Sequence, residues 1–123
     1  MKLYQCSLCG QIITKIKDTQ IPVVCCGQEM VEIFPKHEDK VLGDKHVPVI
    51  DKKGNNVTIT IGSVPHPMSK EHYIEWVVLE TNKRSYRHCF KPGDVPQTRF
   101  IIDKDEKVEA VYVYCNLHSL WKK

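Results

Sequence analysis

The chain has 123 residues, which suits one medium-sized domain or two small ones, and 41% of them are hydrophobic, as in ordinary folded proteins. Its formal net charge of +3 is too small to indicate a nucleic-acid partner, and the sequence contains no basic run or RNA-binding aromatic motif. No apolar run approaches the roughly 18 residues of a membrane span, and residues 1–10 lack the apolar stretch of a signal peptide, so we predict no membrane association and a cytoplasmic location.

The first 34 residues hold four of the six cysteines and three short strand-like pieces, KLYQC, IITKIKD and EMVEIF. A segment of this size cannot bury a useful hydrophobic core, so a metal or another cross-link must stabilise it. The polar stretch PKHEDK that follows begins with proline and is typical of a linker. We therefore predict a small domain over residues 1–35 and a second domain over residues 36–123.

The cysteines of the first domain form a metal-ligand pattern. In a reducing cytoplasm such cysteines are more often ligands or redox thiols than disulfides. Four thiolates make a tetrahedral sulfur site that suits zinc or iron, although structural zinc sites rarely use adjacent cysteines. A structural zinc ribbon therefore stays open beside a mononuclear iron centre. The candidate ligands are Cys6, Cys9, Cys25 and Cys26, with Gly10 and Gly27 expected in tight turns just after them.

The second domain has the pattern of an all-β fold. Alternating or β-branched runs are separated by turn sequences, and none keeps a helical apolar period for three turns. Short strands at this spacing predict a β-sandwich. The runs are KHVPVI, NVTITIG, HYIEWVVLET, RSYRHCF, TRFIID and VEAVYVYC. The net positive charge falls entirely within this domain and favours an anionic ligand.

Four histidines and one cysteine of the second domain lie in loops or at strand ends, several of them beside prolines. Core packing does not explain imidazoles at such positions. Imidazole and thiolate together are ligands for iron, copper or zinc, so a shared metal site is the better interpretation. The set comprises His46, His66, His72, Cys115 and His118.

The motifs KHVPV, HPM…HYIEW and CNLHSLWK, together with CSLC…CC, resemble those of the desulfoferrodoxin family of two-iron superoxide reductases over essentially the whole chain. The resemblance implies a mainly β protein, in which a small rubredoxin- or desulforedoxin-like domain precedes a seven-stranded, immunoglobulin-like, neelaredoxin-like sandwich. It also implies two mononuclear irons. One is a distorted Fe(SCys)4 centre, at which zinc stays possible; the other has the four histidines in its equatorial plane and Cys115 as axial ligand.

The activity implied by the resemblance is the one-electron reduction of superoxide to hydrogen peroxide at an open sixth iron position, with a rubredoxin-like electron donor and a homodimeric assembly. The alternative is an electron-transfer metalloprotein without catalysis, similar to a cupredoxin. That class normally places an axial methionine after its last histidine, and only SLWKK follows His118. A zinc ribbon joined to an interaction module is a third class, and it leaves the loop histidines unexplained.

Two residues before the first histidine ligand carry expectations from the family. Lys45 is expected to draw in the anion and to help position protons. Asp44 stands where the family commonly has glutamate, which can occupy the sixth position of oxidised iron. Because aspartate is one methylene shorter, we expect Asp44 to coordinate ferric iron less well, or only after a loop shift.

The remaining candidates receive other interpretations. We expect Cys89 to be a buried free thiol that acts as a small hydrophobe. His37 and His88 are expected not to bind metal, and Trp76 and Trp121 to be core or interface aromatics.

Overall fold

Short antiparallel strands carry almost all of the regular structure. The computed structural model describes all residues 1–123, and the chain divides into one unit over Met1–Phe34 and another over Pro35–Lys123. The division lies one residue before the boundary expected from sequence. None of the helical structure has the length or the apolar character needed to cross a membrane.

The first unit contains two small sheets. A three-stranded sheet has the order β2-β1-β5, and β3 pairs with β4 in a hairpin. Only three of its side chains are buried, those of Leu3, Cys6 and Met30. So small a core cannot hold 34 residues by hydrophobic burial alone. The strands are β1 (Leu3–Gln5), β2 (Ile12–Ile13), β3 (Val24–Cys25), β4 (Gln28–Glu29) and β5 (Val31–Ile33).

The second unit is a seven-stranded β-sandwich of the immunoglobulin-like kind, which confirms the predicted fold class. One sheet has the order β10-β7-β6 and the other β12-β11-β8-β9, with all neighbouring strands antiparallel. A single helical turn, α1 (Gly43–His46), precedes the first strand. The strands are β6 (Pro48–Lys53), β7 (Asn56–Ile61), β8 (Ile74–Thr81), β9 (Ser85–Cys89), β10 (Gln97–Ile101), β11 (Val108–Cys115) and β12 (Ser119–Lys122).

The sandwich core follows from strand alternation. In β7 every second residue is fully buried, as expected when one face of a strand lines a core and the other faces water. The apolar residues of β7 pack against those of β8, β11 and β12. The core comprises Val57, Ile59, Ile61, Ile74, Val77, Leu79, Phe90, Ile102, Val111, Val113, Cys115 and Trp121.

A β-bulge at the start of β8 sets which residue faces Cys115. Tyr114 pairs with Trp76, but the next residue, Cys115, pairs with Ile74, so Glu75 is the extra residue of the bulge. The bulge places fully buried Ile74 opposite Cys115 and leaves Glu75 only partly buried. Without it, regular pairing would put a carboxylate opposite the buried thiol.

A buried carboxylate ties the β8–β9 turn to the loop after β10. The Glu106 side chain is fully buried and accepts hydrogen bonds of 2.7 Å from the Thr81 hydroxyl, the Tyr86 hydroxyl and the Asp103 backbone N–H. The Arg84 Nε lies 3.3 Å from the same carboxylate. Burial alone would raise the pKa of Glu106, but these donors outweigh it and lower the pKa to about 2.

Two local expectations were wrong, and one strand lies outside the predicted runs. KHVPVI is not a continuous strand, because its first residues belong to α1 and β6 begins only at Pro48. SLWK was not recognised as a strand, although it forms β12 after a tight turn from β11. Cys89 is exposed rather than buried, since it occupies an outward position of β9, whose residues alternate in exposure.

The segment PKHEDK was predicted to be a linker, but two of its residues form hydrogen bonds within the second unit. Lys36 donates its backbone N–H to Leu120 and accepts one from Lys122, so it extends the edge of β12. Asp39 Oδ1 accepts the backbone N–H groups of Val41 and Leu42, both at 2.8 Å, and so shapes the turn that leads into α1.

Candidate metal centres

The four cysteines of the first unit converge on one point. Their sulfur atoms all lie within 4.8 Å of one another, and all six cysteines of the chain are free of disulfides. The Sγ atoms of Cys9 and Cys25 are 3.6 Å apart, and those of Cys25 and Cys26 are 3.9 Å apart. Two sulfurs held about 2.3 Å from a central ion in a tetrahedron lie about 3.8 Å apart, so the spacing fits a metal.

The backbone around these cysteines is arranged to support thiolates. The Cys9 N–H points at the Cys6 sulfur at 3.4 Å, and the N–H groups of Cys9 and Leu8 lower the pKa of Cys6 to about 6. Sharing of protons with Cys9 and Cys6 raises the pKa of Cys25 to about 12, because one cluster without a cation cannot ionise every thiol. A bound cation would remove that conflict.

Three residues next to the ligands adopt left-handed backbone angles. Gly10 has φ +80° and Gly27 has φ +75°, as the turns after each cysteine pair require. Cys26 has φ +53°, which is unusual for a side chain of this kind. The backbone therefore absorbs the strain of using adjacent ligands, while the two sulfurs keep a tetrahedral separation.

The second constellation is assembled from four parts of the sandwich. His46 ends α1, His66 lies in the loop between β7 and β8, and His72 comes just before β8. Cys115 is the last residue of β11, and His118 lies in the turn to β12. One ligand atom from each of the five lies within 4.8 Å of all the others. The structure thus brings together every residue of the predicted His4Cys set.

The four imidazoles form a square. Neighbouring ring centroids are 4.5 Å apart for His46–His66, 4.7 Å for His66–His72, 5.0 Å for His72–His118 and 4.8 Å for His118–His46. The diagonal between His46 and His72 is 6.3 Å. Neighbouring rings are turned 69–86° from each other, whereas the two across the diagonal differ by only 28°. This is the arrangement of four equatorial ligands.

Hydrogen bonds decide which nitrogens face the centre. The Nδ1 atoms of His46 and His66 lie 2.8 Å and 2.6 Å from the carbonyl oxygens of Leu42 and Pro67, so both must carry the proton. The Nε2 atoms of the two rings are then unprotonated, yet they face each other at 3.0 Å. Two lone pairs meet favourably at that distance only around a cation, and ligands about 2.1 Å from an ion at right angles are about 3.0 Å apart.

The other two histidines complete the fit. His118 uses Nδ1, which lies 3.1 Å from the His46 Nε2 and 3.7 Å from the Cys115 sulfur. His72 Nε2 is buried and has no hydrogen-bond partner. A buried polar atom without a partner lowers stability, and a bound cation would provide a partner for this nitrogen. Three histidines therefore offer Nε2 and one offers Nδ1.

Burial favours the neutral, metal-binding form of three of these imidazoles, those of His46, His66 and His72. It lowers the pKa of His66 to about 4 and is the main cause of the lowered pKa of His46. Burial also lowers the pKa of His72, with further contributions from the charges of His118 and Lys45. For Cys115, burial raises the pKa, while the N–H groups of Leu117 and His118 oppose the rise. Those two N–H groups are placed to stabilise a metal-bound thiolate.

Two residues that are not ligands support the ligands of this centre, and the sequence did not predict that role for either of them. The Trp121 ring stacks on His46 at 4.7 Å, and its indole N–H donates to the His118 carbonyl at 3.1 Å. Asn116 accepts the Tyr73 N–H at 3.0 Å and donates to the Glu71 carbonyl at 2.9 Å, so it joins the Cys115 turn to the segment that carries His72. Both residues occur within CNLHSLWK, but only their contacts show their role.

Asp44 and Lys45 lie on α1 with exposed side chains, next to His46. Asp44 is not among the residues whose ligand atoms converge, so its contact with ferric iron stays a prediction. Its carbonyl oxygen accepts the Val64 N–H at 3.0 Å and the Ser63 hydroxyl at 3.2 Å, which fastens α1 to the loop that carries His66. His37 and His88 lie outside both clusters.

The geometry does not match the cupredoxin-like alternative. Met68 is the only methionine of the second unit, and its sulfur accepts the backbone N–H of Ile74 at 3.4 Å. A cupredoxin-like site uses a thiolate, two histidines and an axial methionine. Here four histidines and one cysteine converge, which is two histidines more than such a site needs, and no methionine is among them.

A β-sandwich that gathers four imidazoles and a thiol, preceded by a four-cysteine unit, defines a metalloprotein with two separate centres. The family model for desulfoferrodoxin matches residues 38–123, and the model for the desulfoferrodoxin N-terminal domain matches residues 1–33. The chain therefore belongs to the desulfoferrodoxin family, as its motifs predicted.

Individual relatives agree along the full length. A desulfoferrodoxin homolog of Archaeoglobus fulgidus is 41% identical over 124 residues, covering 99% of this chain and 95% of the relative. The desulfoferrodoxin of Nitratidesulfovibrio vulgaris is 40% identical over 121 residues, covering 98% and 94%. The crystal structure of the superoxide reductase from Treponema pallidum superposes with a TM-score of 0.82 at 27% identity, covering 100% of this chain and 98% of that one.

Proposed function

We propose that this protein is a superoxide reductase that converts superoxide to hydrogen peroxide. The observation that carries the proposal is the square of four imidazoles with the Cys115 sulfur beside it. Four imidazole nitrogens and one thiolate would hold a metal ion through five protein ligands, and a six-coordinate ion would then have room for one small ligand. The family implies iron as the metal in both centres, with zinc possible at the cysteine site.

The second centre would hold an iron that, when bound, would supply the single electron that superoxide takes up; the residues that would hold it are His46, His66, His72, His118 and Cys115. Superoxide, one electron and two protons together make hydrogen peroxide, and water supplies the protons. Carbonyl contacts orient His46 and His66, and the Trp121 ring stacks on His46. Burial lowers the pKa of His46, His66 and His72, which favours the neutral, metal-binding form of these three imidazoles. The thiolate of Cys115, stabilised by the backbone N–H groups of Leu117 and His118, would favour the oxidised state of a bound metal by electron donation.

Lys45 and Asp44 complete the proposed site. The exposed ammonium of Lys45 lies close enough to His72 to lower the pKa of that imidazole, so its field reaches the centre. We assign it the role of attracting the superoxide anion and of holding a proton at Nζ near the product. Asp44 is assigned a weaker role, as a carboxylate one methylene shorter than glutamate that would coordinate ferric iron less well, or only after a loop shift.

The deciding experiment is the reaction of the reduced, iron-loaded protein with superoxide, generated by pulse radiolysis or mixed by stopped flow. The proposal expects one hydrogen peroxide for each superoxide consumed, oxidation of the iron and no oxygen evolution. Oxygen evolution would indicate dismutation and refute the reductase. Metal analysis distinguishes the other classes, because two irons per chain fit the proposal, copper fits an electron carrier and zinc alone fits an interaction module.

The finer assignments extend this proposal. A rubredoxin-like protein is the proposed electron donor, and the cysteine centre over residues 1–35 either relays electrons or holds that unit together. Short sheets with exposed apolar residues, among them Val24, Val31 and Phe34, support a homodimer formed through the first unit. Six free thiols favour the reducing cytoplasm as the site of action.

A further inference from the structure

We propose that Lys36 is an electrostatic residue of the second centre, whose positive charge raises the reduction potential of the iron. The inference rests on the proposed function, since it concerns the iron that the His4Cys set would hold. It assigns a role to a residue in a stretch that the sequence pattern predicted to be only a linker.

The backbone of Lys36 is fixed beside the ligand turn. It donates its N–H to the Leu120 carbonyl at 2.9 Å and accepts the Lys122 N–H at 2.9 Å, which pairs it with Trp121 in a parallel bridge. A residue held on both sides by backbone hydrogen bonds has little freedom to leave, so the side chain starts from a defined position at the edge of β12.

The ammonium group then reaches toward two groups that touch the ligands. Its Nζ lies 3.5 Å from the His118 carbonyl oxygen and 5.2 Å from the centre of the Trp121 ring. The same carbonyl accepts the Trp121 indole N–H, and the same ring stacks on His46. Lys36 is therefore linked to two of the four equatorial histidines through contacts with a single buried tryptophan and one carbonyl.

The electrostatic effect of this placement reaches the ligands. The Lys36 ammonium lies 3.5 Å from the backbone carbonyl of one ligand, His118, and 5.2 Å from the ring that stacks on another, His46, well within the roughly 8–10 Å over which a charge acts at moderate salt. The carboxylate of Glu75 acts in the opposite sense, because Glu75 directly follows Ile74, the residue that pairs with the ligand Cys115. A cation this close favours the metal state with fewer positive charges, which is the ferrous state.

The test is a redox titration of the second centre in the iron-loaded full chain, followed by its visible absorption. Lys36→Met keeps the aliphatic stem but removes the charge, and Lys36→Arg keeps the charge. We expect Lys36→Met to shift the iron reduction equilibrium about two- to tenfold toward the ferric form. For a one-electron couple this is a fall of about 20–60 mV. Lys36→Arg should stay near the parent value.

Two further variants serve as controls. Lys52→Met removes an exposed lysine of β6 and matches the change in net charge, so it should leave the potential unchanged. Glu75→Gln removes the opposing charge and should raise the potential. The effect of Lys36→Met should also shrink as ionic strength rises, because Lys36 is exposed. A merely structural role would not produce rescue by arginine together with this salt dependence.

Several outcomes would overturn the proposal. A potential for Lys36→Met equal to that of the parent, or equal to that of Lys52→Met, would do so, as would a fall in Lys36→Arg as large as in Lys36→Met. If Lys36→Met loses its iron, Lys36→Gln is titrated in its place and judged by the same criteria. This test is independent of the proposed function, because the reduction potential is measured without superoxide. A centre that shows the shift but does not reduce superoxide would retain this inference and refute the reductase.

Discussion

Gly62 is the residue through which a single methyl group should disturb the second centre. It follows β7, has φ +73°, and packs against α1, which carries Asp44, Lys45 and His46. A Cβ added at Gly62 would collide with the Asp44 carbonyl oxygen and lie 2.6 Å from the Lys45 Cα. These are backbone atoms, so no side-chain rotation relieves the collision.

The size of the effect of Gly62→Ala follows from two contributions. A left-handed backbone costs a non-glycine residue about 1–2 kcal/mol, and forcing a methyl group into packed structure costs about 1–3 kcal/mol. The reduced freedom of the unfolded chain returns about 0.4–1 kcal/mol. We expect the free energy of unfolding to fall by about 1–5 kcal/mol, or Tm by about 4–20 °C at about 4 °C per kcal/mol.

Gly54→Ala is the matched control. Gly54 also has a left-handed backbone, with φ +59°, but a Cβ there meets no atom within 4 Å. Its substitution therefore includes the backbone cost without the collision, and we expect a loss of about 0–1.6 kcal/mol. The difference between the two variants measures how tightly α1 is packed against the loop.

The assay is thermal unfolding followed by tryptophan fluorescence. Both tryptophans of the chain, Trp76 and Trp121, belong to the second unit, so the signal reports that unit alone. Gly62→Ala should also release its second metal faster to a chelator, because the collision displaces His46. If the two variants unfold within about 0.5 kcal/mol of each other, the packing of α1 against this loop is not a determinant of the site, and the reasoning is refuted.

Four other predictions follow from the structure. Lys45→Met should slow the reaction with superoxide about tenfold at low ionic strength and less at high ionic strength, and a salt-independent loss would contradict a steering role. Cys115→Ser should abolish the thiolate-to-iron absorption band, and a retained band would disprove the axial assignment. Cys26→Ser should reduce the metal content from two ions to one without slowing superoxide reduction, if the first centre is structural; loss of both metals would contradict separate centres. Glu106→Gln should lower Tm at pH 7 and flatten the loss of stability on acidification. In the parent the pKa of Glu106 is lowered to about 2, so its stabilising contribution is present above the ordinary glutamate pKa and is lost as pH falls from about 4.5 toward 2; equal acid sensitivity of the two proteins in thermal melts would contradict this.

The sequence alone was sufficient for the ligand types and the fold class. Cysteine pairs and histidines beside prolines are local patterns, and a metal requires specific atoms that few other residues supply. Alternation in runs such as NVTITI likewise reports one buried face, whatever the partner strand. All nine predicted ligands accordingly fall into the two clusters.

Only the tertiary structure decided how those ligands are held. The choice of Nε2 in His46 and His66 depends on carbonyl groups that the fold brings to their Nδ1 atoms, and the bulge at Glu75 depends on pairing between distant strands. The exposure of Cys89 and the short helix at His46 depend in the same way on packing that is not encoded in a local period. Lys36 shows most clearly what the sequence could not reveal. It lies 82 residues from His118 along the chain, in a polar stretch without a recognisable pattern. Its charge comes close to the second centre only because that stretch pairs with the last strand.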